Sequence, residues 1–261
     1  MLLVIDCGNT NIVFGSYDGK ELLSVWRIET HPLPTLEDMR AALPIASDSI
    51  EDVIIASVVP ASIEPLVAFS KSLGHEPVIV DGSFTDFGVV VDVPNPSQVG
   101  PDRIVNAAAC ASIGLVPAIV VDFGTATTFD VVLDGVDGPR YAGGVIAPGV
   151  NLSVAALGAA AARLPDVNVQ DMLQADWQSD SLPVLGTTTH GAMQSGVLWG
   201  YVGLVEGILA RLQDELQLSA TVIATGGLAA IYAPHILAIS DVRDNLTLDG
   251  LAGIFARNKS I

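Results

Sequence analysis

The chain has 261 residues, half of them hydrophobic and only 15% charged, which is enough apolar material for one large domain or two modest ones. Its formal charge of −18 argues against nucleic acid as a ligand, because neutralising a phosphate backbone takes clustered Lys and Arg. Two cysteines, Cys7 and Cys110, are too few for a disulfide framework and lack metal-ligand spacing, so both read as small buried hydrophobes.

Residues 2–6 open the chain as an apolar run that Asp6 interrupts, with no basic residue before it and hence no signal-peptide pattern. Residues 12–17 and 21–29 continue as the second and third strands of a meander, with a turn at Asp18-Gly19. Thr35 can cap a helix running to about Leu43, with Asp38 at the third helical position as an imperfect capping box. Residues 53–57 read as a buried strand, 62–73 as a helix and 77–80 as another strand. A loop over 92–100 precedes a helix that starts near Asp102. The first half therefore runs β-β-β-α-β-α-β.

The second half restarts with strands over 118–122, 127–133 and 141–146, and a small-residue helix over 151–164. Residues 166–183 are polar and irregular; 189–216 form one long helix with apolar positions at helical spacing. A strand over 221–224 ends at Gly226-Gly227, and Leu228 starts a further helix. Two uncharged stretches, 104–121 and 141–162, are interrupted by Asn106, Gly114 and Pro117 and by Pro148 and Asn151. Each reads as two buried elements joined by a turn, not as a membrane span, so the expectation is a soluble cytoplasmic protein. No low-complexity linker separates the halves, and the boundary is placed at residues 1–112 and 113–261.

One pattern is stated twice. Val4-Ile5-Asp6-Cys7-Gly8-Asn9-Thr10 recurs loosely as Val120-Val121-Asp122-Phe123-Gly124-Thr125-Ala126, each an apolar run ending on Asp-x-Gly and small polar residues. Such hairpin tips bring backbone N–H groups and hydroxyls close to an anion, with no Cβ in the way at Gly8 and Gly124. Two tips facing one another would grip the phosphates of one nucleotide. The global charge gives an anionic substrate no help, so phosphate chemistry here must rely on local amides, a few placed basic residues and a bound cation.

Further motifs follow in fixed order: Asn95-Pro96, Gly100-Pro101-Asp102-Arg103-Ile104-Val105-Asn106, the run from Gly143-Gly144 to Pro148-Gly149, Thr189, Thr225-Gly226-Gly227 and Leu246-Thr247-Leu248-Asp249-Gly250-Leu251. Each is weak alone. Jointly, from end to end, they resemble the type III pantothenate kinases of the acetate and sugar kinase/Hsp70/actin superfamily. The resemblance implies duplicated actin-like (ribonuclease H-like) α/β domains, with the active site in the cleft between them. It implies ATP-dependent phosphorylation of the primary hydroxyl of pantothenate, the first step of coenzyme A synthesis.

On that resemblance Asp102 is the expected base, though it also suits a helix cap, and Arg103 holds substrate oxygens. Val93, Gly100, Pro101 and Thr189 are expected around pantothenate; Thr189 suits a helix N-cap as well. Asp6, Gly8, Asn9, Thr10 and Asn11 form the first ATP tip, with Asp6 orienting Mg²⁺ through water. Thr125, Gly226 and Gly227 complete the ATP contacts, and Asp122 binds a monovalent cation, K⁺ or NH₄⁺. Sites near the interface of a homodimer are implied, with the long helix after Thr189 as its surface.

Two departures stand out. Val93 occupies a position where many family members carry tyrosine, and Thr187-Thr188 replaces a common Lys-Asn pair. The rival readings are a kinase of the same superfamily acting on another alcohol, and a non-catalytic relative that regulates a partner. The Gly100 to Arg103 motif favours pantothenate, and the presence of Asp6, Asp102 and Asp122 together favours an enzyme.

Overall fold

A computed structural model describes residues 1–81, 86–160, 169 and 183–259. The irregular stretch expected over 166–183 lies almost wholly outside the described residues, as does the end of the helix expected over 151–164.

The first meander forms as the sequence predicts: β1 (Leu2–Cys7), β2 (Asn11–Asp18) and β3 (Glu21–Glu29), paired antiparallel. Next come α1 (Leu36–Ala41), β4 (Asp52–Ser57), α2 (Ile63–Ser72) and β5 (Val78–Val80). Thr35 and Asp38 form a complete capping box: the Thr35 side chain accepts from the Asp38 amide, and the Asp38 carboxylate accepts from the Thr35 amide at 2.9 Å. The sheet order is β3-β2-β1-β4-β5, with β4 parallel to both β1 and β5. Leu3, Ile5 and Cys7 of β1 pack with Phe14, Leu66, Phe69 and Met39 in one core. Val4 is buried too, so β1 is covered on both faces, which suits its continuous apolar run. Cys7 and Cys110 are both buried and neither forms a disulfide, as expected.

A two-residue strand, β6 (Val90–Val91), leads to α3 (Pro101–Ser112). The second meander is β7 (Ala118–Phe123), β8 (Ala126–Leu133) and β9 (Arg140–Pro148). It is followed by α4 (Val150–Ala160), α5 (Thr189–Leu216), β10 (Thr221–Thr225), α6 (Ala229–Tyr232) and β11 (Ile239–Val242). The chain closes on α7 (Leu246–Lys259). The second sheet has the order β11-β10-β7-β8-β9-β6. Apart from β6 it repeats the first sheet strand for strand, so the duplication read in the sequence is a duplication of topology.

By internal contacts the chain forms two compact units: residues 1–116, 131–143 and 245–261, and residues 117–130 and 144–244. In the first, α7 packs on α3 at Gly250, where a Cβ would fall 2.4 Å from the Val105 carbonyl oxygen. Thr247 Oγ1 donates to Asn106 Oδ1 at 2.8 Å across the same crossing. Tyr17 donates to Asp249 Oδ1 at 2.7 Å, and its burial raises the phenol above its ordinary range. Among the described residues no helix is long and apolar enough to cross a membrane.

Candidate functional site

The first hairpin tip is a tight turn. Gly8 donates its N–H to the Asn11 carbonyl at 3.0 Å, and a Cβ on Gly8 would crowd that same oxygen at 3.3 Å. The residue after β3 braces it: Thr30, fully buried, donates its hydroxyl to Gly8 O at 2.8 Å and its amide to Thr10 O at 3.0 Å. With its carbonyls held from behind, the tip leaves Asn9 and Thr10 exposed and Asp6 half-buried at the strand end.

The second tip, in the other unit, shares the Asp-x-Gly pattern but closes one residue sooner. Gly124 donates to the Ala126 carbonyl at 3.1 Å, and Thr125 is exposed. Two glycines from elsewhere in that unit close around it. A Cβ at Gly149 would lie 2.1 Å from Thr125 O and 2.7 Å from Gly124 O. A Cβ at Gly226 would lie 2.4 Å from Asp122 Oδ1 and 2.7 Å from the Phe123 backbone, and Gly226 sits at φ +90°. Gly226 reaches this position because β10 pairs with β7 in a register that sets Thr225 beside Asp122. Thr225 is tied in turn to the Arg243 carbonyl at 2.7 Å. Gly149 is held by the buried Tyr201 hydroxyl, whose single proton is shared between the carbonyls of Gly149 at 2.9 Å and Pro148 at 3.1 Å. Gly227 is exposed and open.

The third group of predicted residues lies in the first unit. Here β6 and β9 pair in parallel, and the Asp92 amide donates to Tyr141 O at 3.0 Å. Arg140 meets the Asp92 carboxylate at 2.7 Å, so the start of the 92–100 loop is pinned. Val93 is half-buried, 3.9 Å from where a Cβ on Gly143 would stand. The loop enters α3 with Gly100 at the N-cap and Pro101 at the first helical position, a favourable place for proline. Asp102 is thus the second helical residue and not the cap. Its Oδ1 accepts from the Arg103 amide at 2.9 Å. Burial pushes the Asp102 carboxyl above its ordinary range, while the Arg103 amide and the Arg103 charge pull it partly back. A Cβ at Gly100 would sit 2.5 Å from Asp102 Oδ1, so the carboxylate occupies space that any other residue at 100 would fill.

Thr189 is the first residue of α5 and is exposed. The capping role that its position suggested belongs to Thr188, whose side chain accepts from the Gly191 amide at 3.0 Å. Among the described residues no hydrogen bond ties Thr189 to another predicted site residue. The structure thus brings together Asp122 and Gly226, and separately Gly100, Asp102 and Arg103. Sequence reasoning gave no role to Thr30, Tyr141 or Tyr201; Gly149 was visible only as the end of a glycine motif. Among the described residues no three His, Cys, Asp or Glu side chains gather as a metal site. A divalent ion here would rely on single carboxylates, water and ligand oxygens, which is the set Mg²⁺ accepts.

The family model for type III pantothenate kinase matches residues 2–211. The type III pantothenate kinase of Gluconobacter oxydans is 43% identical over 99% of this chain and 94% of its own length. Among solved structures, a Campylobacter jejuni protein described as of the Baf family of transcriptional activators superposes with a TM-score of 0.63 at 19% identity, over 99% of this chain and 100% of its own. A ROK hexokinase from Thermus thermophilus does so at 0.51 and 13% identity, over 100% and 99%. At those identities the structural likeness is one of fold, the actin-like α/β fold that the strand order also gives.

Proposed function

The chain belongs to the type III pantothenate kinase family, an enzyme family that phosphorylates pantothenate with ATP at the start of coenzyme A synthesis, and from that premise we propose how its residues divide the work. Phosphoryl transfer to an alcohol asks the protein mainly for positioning, charge neutralisation and a base for the hydroxyl proton.

Asp102 is that base. The observation that carries this assignment is a carboxylate raised by burial, in the first turn of α3, in a space kept open by Gly100. A raised carboxyl is a better proton acceptor at neutral pH than an ordinary one. Arg103 binds pantothenate oxygens through its planar fork. Val93, Gly100 and Pro101 shape the acceptor site beside it, and Thr189 contributes from α5.

Gly8, Asn9, Thr10 and Asn11 hold phosphate oxygens at the first tip, and Thr125, Gly226 and Gly227 contact the nucleotide at the second. Both tips are glycine-lined and oxygen-rich, and so fit phosphates with their counter-ions. Asp6 orients Mg²⁺ through water, and Asp122 supplies an oxygen ligand for K⁺ or NH₄⁺. Bound cations offset phosphate charge that a chain of −18 does not. The two repeats divide at residues 1–112 and 113–261, and the enzyme works in the cytoplasm.

The reading is tested by pantothenate-dependent ADP release from the purified protein, with and without K⁺. Formation of 4′-phosphopantothenate that needs K⁺ or NH₄⁺ is expected. No product above the no-enzyme control in either buffer would overturn it, and full activity without a monovalent cation would remove that role from Asp122.

The enzyme is a homodimer through α5. Gly196, Gly200 and Gly203 fall on one face of that helix, all exposed, with nothing within 4 Å of a Cβ on any of them. Each glycine costs the helix roughly 0.5–1 kcal/mol relative to alanine, so their grouping suits a close helix approach. Light scattering should give twice the chain mass, and Gly200→Leu should halve it. A monomeric parent would end this assignment.

A further inference from the structure

Tyr141 stands against the arginine assigned to the acceptor site. The Arg103 Cζ lies 5.7 Å from the centroid of the Tyr141 ring. Tyr141 is only 1% exposed and Arg103 is half-buried. A guanidinium within about 6 Å of an aromatic face is attracted by the ring quadrupole, more strongly where water is excluded. The planar fork of arginine can rest on a ring while its N–H groups stay available at the edge.

The ring itself is firmly placed. Tyr141 pairs in register with Val91, and its carbonyl accepts from the Asp92 amide at 3.0 Å. Its neighbour Arg140 binds the Asp92 carboxylate at 2.7 Å. One short strand pairing therefore anchors the start of the acceptor loop and sets the ring beside the arginine that follows the loop.

We propose that Tyr141 is a positioning residue for the acceptor: its ring holds the Arg103 guanidinium in the orientation that receives pantothenate oxygens, and so sets affinity for pantothenate and not for ATP. The inference rests on the assignment of Arg103 to the acceptor site. It predicts that the electron density of the ring, and not its hydroxyl or its bulk, is what matters.

The experiment is steady-state kinetics, with pantothenate and ATP varied separately, on Tyr141→Phe, Tyr141→Met and Arg103→Met. A series with phenylalanines of increasing fluorination at 141 keeps the shape of the ring while cancelling its quadrupole. Tyr141→Met should raise the pantothenate KM about 5- to 30-fold, the range that one desolvated cation–π contact supports. The ATP KM should move less than about two-fold, and Tyr141→Phe should restore near-parent values. Along the fluorinated series the pantothenate KM should climb with fluorine number, which remains informative if the methionine variant folds poorly. In an Arg103→Met background, fluorination should have no further effect. A flat fluorine series with an impaired Arg103→Met enzyme overturns the role of Tyr141 alone. An Arg103→Met enzyme with the parent pantothenate KM overturns the assignment of Arg103 beneath it.

Discussion

Replacing Asp102 with asparagine should lower kcat by about 10²–10⁴-fold, the contribution typical of a positioned general base. The fold should not suffer. The Asp102 carboxyl is raised by burial, so in the folded state its proton is held more tightly than in the unfolded chain. That contribution favours folding below the raised value and is lost as pH rises through it, so that ionising Asp102 costs the fold stability. The asparagine variant should therefore melt at or above the parent temperature at pH 7, while its nucleotide affinity is retained. In the parent, kcat/KM for pantothenate should fall with acid along a limb that lies above the ordinary carboxylate range. Gly100→Ala gives the companion result. The added methyl claims space 2.5 Å from Asp102 Oδ1, and the carboxylate, being the movable partner, shifts. Turnover should drop with little loss of stability. Parent-like turnover in Asp102→Asn would remove the residue from the chemistry.

Gly226→Ala should have the largest combined effect on stability and nucleotide use. The residue sits at φ +90°, where a side chain is strained by about 1–3 kcal/mol. Its Cβ would also meet Asp122 Oδ1 at 2.4 Å and the Phe123 backbone at 2.7 Å, and overpacking of this kind costs about 1–3 kcal/mol more. Backbone cannot swing aside as a side chain can, so the second tip moves or the variant unfolds. Denaturant midpoints should show a loss of at least about 2 kcal/mol, and the ATP KM should rise with it. Gly227→Ala is the stability control: it is exposed with open space around it, and its midpoint should stay within about 0.5 kcal/mol of the parent. Equal midpoints for the two variants would show that Gly226 does not brace the tip.

Most of the fold was legible because its strands are short apolar runs bounded by Gly, Asp and Pro, and its long helix keeps one spacing throughout. The helix expected over 189–216 matches α5 residue for residue. What escaped has physical reasons. β6 is two residues long and exists only by pairing with Arg140 and Tyr141, so it has no pattern of its own. β11 is largely exposed and carries Ser240 and Asp241. α7 contains Gly250 and Gly253, which weaken a helix signal, and Gly250 is there for the sake of Val105, 145 positions earlier in the numbering. The same holds at the site. Asp102 and Arg103 were visible as neighbours in one motif, whereas Tyr141 beside Arg103 and Gly149 beside Thr125 are encounters that only the folded chain creates. Two adjacent threonines can both pass for a cap, and backbone geometry chose Thr188 over Thr189.

The crossing of α3 by α7 at Gly250 has a consequence for how the protein comes into being. The helix that begins at Pro101 finds its packing surface in residues 246–259, which leave the ribosome after every strand of the two sheets. Nascent chains fold from their N-terminal end as they emerge, so α3, with Asp102 in its first turn, stays undocked until those residues emerge. Chains stalled or clipped before residue 246 should be inert and prone to capture by chaperones, however complete their two hairpin tips.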